Sequence, residues 1–292
     1  MPAPRVSVAY QREYTVSMFL VIVAFMLGGI GNTVIASEAG SELVFAGLRF
    51  VFAALLFARW FPAALKLPRV LLLAAACEVA SIVVFYLALG KVSVAVVTTI
   101  GASGPLIAAA VNRITGRHRL SGAAVAFILM SVVGTTLLAW EGGWDSSTAK
   151  GIILAVASIL LSTVGLLLNS WYGKDSSSVV RVAASNLIGI LVLGPVLLFY
   201  SVSDGVEQTI TWSMVAGALF LAVLPAGLAK VWVLRALKTI PAPVVMAVSV
   251  VSLVSAAVSA WVFLGQPLGI AGIVGMALSC GAIAGLALRK EA

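Results

Sequence analysis

The sequence predicts an all-α integral membrane protein, with ten transmembrane helices arranged as two inverted-topology five-helix repeats. Three observations lead to this fold class: an apolar composition, ten apolar segments of similar length, and a one-sided distribution of basic residues. Of the 292 residues, 62% are hydrophobic and 10% are charged, whereas a soluble domain is about 45–50% apolar and about 25% charged. So few charged residues cannot cover a water-soluble globule, and we therefore expect a lipid bilayer to cover most of the surface.

The apolar segments have the length that a bilayer requires. A membrane-spanning helix needs about 20 mostly apolar residues, and charge clusters, prolines and glycines divide the chain into ten such segments. The loops between them are short and leave no room for a soluble domain. The predicted spans are residues 17–36, 41–58, 68–90, 93–112, 120–140, 150–170, 179–200, 211–233, 242–264 and 267–288.

The basic residues orient these spans. If the N-terminus is cytoplasmic, nearly all Lys and Arg residues fall in cytoplasmic loops and span ends, and the opposite side receives only Lys91 and Lys150. Short cytoplasmic loops carry an excess of Lys and Arg. The distribution therefore predicts that both termini are cytoplasmic. Because the basic residues are scattered rather than gathered on one soluble face, the net charge of +8 does not indicate a nucleic-acid partner.

The sequence contains an internal repeat, which divides the ten predicted spans into two halves of five. When the chain is shifted by 148 residues, ALGKVSVAVV at 88–97 aligns with ALKTIPAPVV at 236–245. Five is an odd number of spans, so the second half must be inverted, as in many secondary transporters with a substrate site near the membrane midplane. The predicted divisions are a cytoplasmic tail at 1–16, the first repeat at 17–140, a periplasmic connector at 141–149, the second repeat at 150–288, and a tail at 289–292.

The fourth and ninth spans carry a family resemblance. They begin with the related phrases ALGKVSVAVVTTIGASGPLIAAAV and ALKTIPAPVVMAVSVVSLVSAAVSAWVFLGQPL. Together with the five-plus-five plan, these phrases resemble the drug/metabolite transporter superfamily and its EamA-type exporters, most of all the bacterial exporters of aromatic amino acids and methyl viologen. The resemblance implies a bacterial inner-membrane exporter of aromatic or other neutral amino acids, and of organic cations, that works by alternating access.

Glu78 is the most unusual residue of the predicted spans because it interrupts the apolar run LLAAACEVASIVV at 72–84. An ionised acid at mid-membrane costs at least about 2.5–3.5 kcal/mol, so its charge needs compensation. Glu78 pairs with Arg49 of the second span as a structural bridge, or it lines a cavity where it binds a substrate ammonium or a coupling proton, or it faces lipid. Lys230, near the cytoplasmic end of the eighth span, is expected to snorkel to the interface.

Other candidate site residues are neutral. Asn32 and Asn169 can hydrogen-bond a zwitterion or hold helices together, and Tyr86, Trp232 and Trp261 lie deep enough to form the walls of a site for a bulky side chain or to pack helices. Breaks in helices at mid-membrane depth point to a binding site or a hinge. Such breaks are predicted at Gly104, Pro105 and Pro225.

Three other function classes are weaker. A phosphorylated-metabolite or nucleotide-sugar exchanger needs several intramembrane cations, and the spans offer Arg49 and Lys230. A membrane channel or scaffold is the alternative outside transport. An enzyme is not expected, because one histidine, two cysteines and no intramembrane aspartate provide neither a metal site nor a hydrolytic centre, and no motif for a cofactor or nucleotide is present. The expected partners are therefore a small-molecule substrate and the lipid bilayer.

Overall fold

All regular structure in the described part of the chain is helical. The computed structural model describes residues 8–36, 42–89, 91, 100–101, 103–116, 121–140, 149–202, 211–264 and 269–288. The helices are α1 (Val8–Ala36), α2 (Glu42–Phe57), α3 (Phe61–Ala64), α4 (Arg69–Leu89), α5 (Gly104–Ile114), α6 (Gly122–Trp140), α7 (Ala149–Tyr172), α8 (Ser178–Val202), α9 (Trp212–Val223), α10 (Lys230–Ala236), α11 (Ala242–Val248), α12 (Val251–Leu264) and α13 (Ile270–Leu288).

Six helical segments are long and apolar enough to cross a membrane. Three shorter apolar segments, at Gly122–Leu137, Val254–Phe263 and Ile270–Gly285, accompany them. Because a helix satisfies its own backbone hydrogen bonds, continuous apolar helices of this length are the structures that a bilayer accepts. The chain is therefore a multi-pass helical membrane protein. The six long segments are Gln11–Gly31, Val44–Ala64, Arg69–Ala88, Ala149–Tyr172, Ser178–Pro195 and Trp212–Ala236.

Each predicted span overlaps a described helix. The fit is poorest for the predicted span at 93–112, of which residues 92–99 and 102 lie outside the described residues and α5 begins only at Gly104. Most of the connector predicted at 141–149 also lies outside them. The predicted helical membrane fold is confirmed at the level of an all-helical, multi-pass protein.

Local sequence sets several helix ends. Thr211 precedes α9, and its hydroxyl accepts a hydrogen bond from the Met214 backbone N–H at 3.2 Å, which satisfies one of the free donors of the first turn. Ser121 does the same for Ala124 at the start of α6. Pro105 lies in the first turn of α5, where its missing N–H costs nothing. After α5, Gly116 has a φ of 66°, a left-handed conformation that suits glycine.

Two long helices are interrupted. A π-helical segment, Leu224–Ala229, contains Pro225 and joins α9 to α10. A turn at Ser249 and Val250 separates α11 from α12, although neither proline nor glycine stands there. A π-helical turn contains more residues than an α-helical turn. The interruption therefore changes the direction in which the side chains of α10 point.

Small residues allow the main helix pairs to approach closely. Gly29 of α1 lies against the backbone of Ser252, and Gly134 of α6 lies against Gly275 and Ser279 of α13. Gly165 of α7 lies against α4. Close approach of backbones through small residues is the usual packing mode of helices in membranes. The α4–α7, α6–α13 and α1–α12 pairs make the most extensive contacts among the described helices.

Candidate functional site

Glu78 lies near the middle of α4 and forms an ion pair with Lys230 of α10. The distance from Lys230 Nζ to Glu78 Oε2 is 2.6 Å. Ser185 Oγ of α8 donates a hydrogen bond to the same oxygen at 2.9 Å, and Asn169 Nδ2 of α7 donates to Glu78 Oε1 at 3.2 Å. Glu78 is 8% exposed. Both carboxylate oxygens therefore accept hydrogen bonds, and the charge is compensated although it is buried.

Arg181 extends this arrangement. Its Nη1 donates to Asn169 Oδ1 at 3.1 Å and to the Asn169 carbonyl at 3.3 Å. Its Nη2 donates to the Leu234 carbonyl of α10 at 2.8 Å and to Ser178 Oγ at 3.2 Å. Arg181 is 3% exposed and lies within the electrostatic reach of Glu78. The guanidinium thus connects α8 to α7 and α10. We name Glu78, Asn169, Arg181, Ser185 and Lys230 the Glu78 cluster.

Helix geometry explains why these side chains meet. Arg181 and Ser185 are four residues apart on α8 and therefore share one face. On α7, Gly165 and Asn169 have the same spacing, and the Asn169 amide also donates to the Gly165 carbonyl at 3.1 Å. A Cβ atom at Gly165 would lie 2.8 Å from Glu78 Cγ. Glycine at this position therefore lets α7 approach α4 closely enough for Asn169 to reach the carboxylate.

Four helices contribute to the Glu78 cluster, and its charges are exceptional in the described structure. Of the charged residues whose side chains are described, all are exposed except Arg49, Glu78, Arg181 and Lys230. A charged side chain inside a membrane protein normally faces the bundle interior and marks a functional pathway or site. The cluster combines one carboxylate, two cations, an amide and a hydroxyl. Such a set can bind a polar solute through exchange of partners.

The partner of Glu78 differs from the expected one. Lys230, expected to snorkel, pairs with Glu78 and is 20% exposed, while Arg49 makes no ion pair with Glu78. Arg49 instead lies with its Cζ 5.1 Å from the centre of the Phe50 ring. Depth in the membrane allowed either cation to reach Glu78. The rotation of α2 directs Arg49 elsewhere, and the π-helical segment before α10 sets the direction of Lys230.

The remaining predicted site residues are dispersed. Tyr86 is 3% exposed in a cluster of apolar side chains from α2, α4, α8 and α9, and Trp232 is half-buried on α10. Trp261 is 55% exposed beside the exposed Val262 and Phe263. Trp261 therefore lies on an exposed apolar face of α12. This position is typical of a lipid-facing side chain and not of the predicted wall of a binding site. The side chain of Asn32 lies outside the described residues.

The predicted helix breaks coincide with irregular backbone. Gly104 and Pro105 are buried in the first turn of α5, and a Cβ atom at Gly104 would lie 2.7 Å from Met246 Cε and 2.8 Å from Ile159 Cδ1. Pro225 lies in the π-helical segment. Gly104 thus brings α5 close to α7 and α11. Pro225 lies in the same interrupted span as Lys230.

Sequence analysis missed Arg181 and Ser185. Arg181 was counted among the basic residues at span ends, because orientation accounts for a cation in that position without a further role. The signal that could have identified it is the Arg181–Ser185 spacing, which places a cation and a hydroxyl on one helical face. An arginine that only faces solvent does not need a hydroxyl group on the same helical face.

Residues 149–288 match the EamA-like transporter family. No curated protein sequence matches the chain significantly. One solved crystal structure, whose description names no function, has the same fold: the TM-score is 0.76 at 16% sequence identity, over 96% of this chain and 99% of that one. The second half of the chain is therefore similar to the EamA-like transporter family, and the solved structure shows the fold alone.

Proposed function

We propose that this protein is a secondary transporter that moves small organic solutes by alternating access, with the Glu78 cluster as part of its substrate or coupling site. The observation that carries the proposal is the cluster itself, in which α4, α7, α8 and α10 bring one carboxylate and two cations together inside a membrane-embedded bundle. Buried ionic groups are expensive and add little net stability. A role in substrate binding would explain why these ionic groups are buried in the bundle.

We further propose the inverted repeat of five spans. Matching helix contacts support the repeat, in which α1 corresponds to α7, α2 to α8, and α4 to the interrupted helix α9–α10. The contact of α4 with α7 matches the contact of α10 and the π-helical segment with α1. Likewise, the contact of α4 with α8 matches the contact of α9 with α2. Gly104 faces Ile159 of α7, and Ser252, 148 residues later, faces Gly29 of α1. The offset equals the one in the sequence alignment. Inverted repeats are suited to alternating access, because exchanging the conformations of the two halves reverses the open side.

The orientation and the location of the protein belong to the same proposal. With both termini cytoplasmic in a bacterial inner membrane, the N-terminal ends of α4 and α8 lie on the cytoplasmic side. The one-sided distribution of Lys and Arg residues supports this orientation. Export is then movement from the side that holds Arg181 to the opposite side.

For the substrate, we propose amino acids, aromatic or other neutral, with organic cations as a further class. An amino acid provides an ammonium group for Glu78 and a carboxylate for one of the cations inside the bundle, so both signs of charge among the side chains that are not exposed would be used. The resemblance of the fourth and ninth spans to amino acid exporters supports the same class.

A second candidate gains support from Arg181. An exchanger of phosphorylated metabolites or nucleotide sugars needs several intramembrane cations, and Arg181 adds a third to Arg49 and Lys230. Against one carboxylate, these three cations leave a formal excess of positive charge among the charged side chains that are not exposed. A phosphate group suits such an excess.

Flux through proteoliposomes tests the proposal. The purified full-length protein is reconstituted, and uptake of labelled L-phenylalanine, L-leucine and a hexose phosphate is followed with and without an imposed pH gradient. We expect saturable amino acid flux that Glu78→Gln abolishes or uncouples from the gradient. The matched control is Glu13→Gln, the same change at an exposed position of α1, which should leave flux unchanged.

The outcomes separate the alternatives. Hexose phosphate flux without amino acid flux would favour the exchanger. Rapid, non-saturable flux of unrelated solutes would indicate a channel, and no flux of any solute above that of empty liposomes would remove the proposed function. Normal flux in Glu78→Gln together with a lower melting temperature would assign the Glu78 cluster a structural role alone.

A further inference from the structure

Among the four described charged side chains that are not exposed, Arg49 is the one cation with no hydrogen bond to a carboxylate, amide or carbonyl oxygen in the described structure. It lies in the middle of α2, and its Nε is buried and makes no hydrogen bond within the described structure. Glu78 is occupied by Lys230, and Arg181 donates to two carbonyls, an amide oxygen and a hydroxyl. The described neighbours of the Arg49 guanidinium are the face of Phe50 and the Tyr86 hydroxyl, and neither carries a negative charge. A buried guanidinium left in this state is costly.

A second unsatisfied group lies beside it. The Tyr86 hydroxyl of α4 interacts with the Arg49 guanidinium. Tyr86 is 3% exposed, and its hydroxyl has no other hydrogen-bond partner in the described structure. A guanidinium donates only, and a phenol hydroxyl carries one further donor. An acceptor with a negative charge and more than one oxygen would satisfy both groups.

The surroundings restrict the kind of acceptor. Phe45 and Phe50 belong to the apolar cluster that holds Tyr86, and the Phe85 ring lies edge-on to Tyr86 with ring centres 6.1 Å apart. An aromatic, water-poor environment strengthens a charge-assisted hydrogen bond. The planar fork of a guanidinium matches a carboxylate, which can accept two parallel hydrogen bonds. A carboxylate attached to an apolar or aromatic body fits both features.

We propose that Arg49 and Tyr86 bind the carboxylate of the transported solute at a site separate from the Glu78 cluster. This inference rests on the proposed function, since it names the chemical group that the same transporter recognises. It assigns different groups of one substrate to different parts of the bundle. The ammonium is recognised at Glu78 and the carboxylate at Arg49 in succession during transport, because Glu78 and Tyr86 lie eight residues apart on α4, a rise of about 12 Å.

Binding to the detergent-purified full-length protein tests this assignment without requiring transport. The probes are 3-phenylpropionate, which has the carboxylate but no ammonium, and L-phenylalaninamide, which has the ammonium but no carboxylate. Isothermal titration measures both on the native protein and on Arg49→Gln, Arg49→Lys and Tyr86→Phe. The matched control is Arg59→Gln, because Arg59 also lies over an aromatic ring, that of Trp60, but is exposed at the end of the same span.

We expect Arg49→Gln to weaken binding of 3-phenylpropionate by at least about tenfold and to leave binding of L-phenylalaninamide unchanged. Arg49→Lys keeps the charge without the fork, so its affinity should fall between those of the native protein and Arg49→Gln. Tyr86→Phe should weaken the same probe by a smaller factor. Arg59→Gln should weaken neither probe.

Four results would overturn the assignment. The first three are equal weakening of both probes by Arg49→Gln, no binding of 3-phenylpropionate to native protein, and Arg49-dependent binding of inorganic phosphate in its place. Unchanged binding of 3-phenylpropionate in Arg49→Gln, with normal phenylalanine flux by native protein, would remove the inference and leave the proposed function intact. A melting temperature close to the native value in Arg49→Lys excludes misfolding as the cause of lost affinity.

Discussion

Lys230 Nζ and Glu78 Oε2 lie 2.6 Å apart, yet the two side chains are not equally buried: 20% of Lys230 is exposed and 9% of Glu78. This asymmetry predicts unequal effects of removing either partner. Lys230→Met leaves a buried carboxylate that keeps only the hydrogen bonds from Asn169 and Ser185 and the more distant charge of Arg181, and we expect a loss of about 2–3 kcal/mol. Glu78→Gln leaves a lysine that can reach water, so the loss should be smaller.

A double-mutant cycle checks this prediction. Thermal or denaturant unfolding in detergent is measured for Glu78→Gln, Lys230→Met and the double variant. Because the double variant removes both members of the Glu78–Lys230 ion pair, it should be more stable than Lys230→Met alone. Additive losses would mean that the ion pair contributes no coupling energy in solution.

The Arg181 guanidinium predicts a second effect on stability. Arg181→Gln removes the donors to the Leu234 carbonyl and to Asn169, which leaves buried acceptors of α10 and α7 unsatisfied. We expect a loss of about 2–4 kcal/mol in the free energy of unfolding. Arg113→Gln, at an exposed position of α5, is the matched control and should change stability by less than about 0.5 kcal/mol.

Flux adds a second measurement for Arg181. If the Glu78 cluster takes part in binding, Arg181→Gln should also raise the solute concentration required for half-maximal flux, because Asn169 is no longer held against Glu78. Equal melting temperatures of Arg181→Gln and Arg113→Gln would contradict the structural part of this prediction.

Close packing at Gly165 predicts that a single methyl group disturbs the Glu78 cluster. In Gly165→Ala the new Cβ atom would lie 2.8 Å from Glu78 Cγ and 3.1 Å from the Ala74 carbonyl, so α7 and α4 must separate. Such overpacking costs about 1–3 kcal/mol, and we expect flux to fall with stability. Gly122→Ala is a suitable control, because no atom lies within 4 Å of that Cβ position. Normal flux in Gly165→Ala would show that the distance between α4 and α7 does not limit function.

The sequence predicted the membrane fold and the importance of Glu78 for the same physical reason. A bilayer leaves so few ways to accommodate a charge that composition and span length identify both the fold and the unusual residue. The partner of Glu78 depended on helix rotation, which the apolar periodicity of a lipid-embedded helix does not encode. Lys230 follows a π-helical segment, and its direction is set by that backbone irregularity rather than by its depth.

Two other features were not predicted from the sequence. The break between α11 and α12 occurs at Ser249 and Val250, where no proline or glycine stands, so residue propensity alone could not locate it. Arg181 was hidden by the orientation rule, which assigns a basic residue at a span end to topology. The place of Arg181 in the Glu78 cluster depends on contacts between helices that are distant in sequence, such as its hydrogen bond to the Leu234 carbonyl.

Gly28 and Gly29 predict opposite responses to the same substitution. A Cβ atom at Gly29 would overlap the Ser252 carbonyl and lie 2.7 Å from Ser255 Cβ, whereas nothing lies within 4 Å of the Cβ position at Gly28. Gly29→Ala must therefore separate α1 from α12, also straining the Thr33–Ser259 hydroxyl contact at 2.8 Å. Gly28→Ala fills open space in a helix and is expected to be neutral or to stabilise by up to about 1 kcal/mol.

Flux and melting temperature distinguish two roles for the α1–α12 contact. Gly29→Ala is expected to cost about 1–3 kcal/mol of stability. If transport requires these helices to separate and close again, Gly29→Ala also weakens the closed arrangement. The flux rate should then change by more than this loss of stability explains. Reaction of a cysteine at Ser255 with a water-soluble thiol reagent should then be faster in Gly29→Ala than in Gly28→Ala. Equal reaction rates in the two variants, with a lower melting temperature only in Gly29→Ala, would indicate that the contact is fixed and that Gly29 serves packing alone.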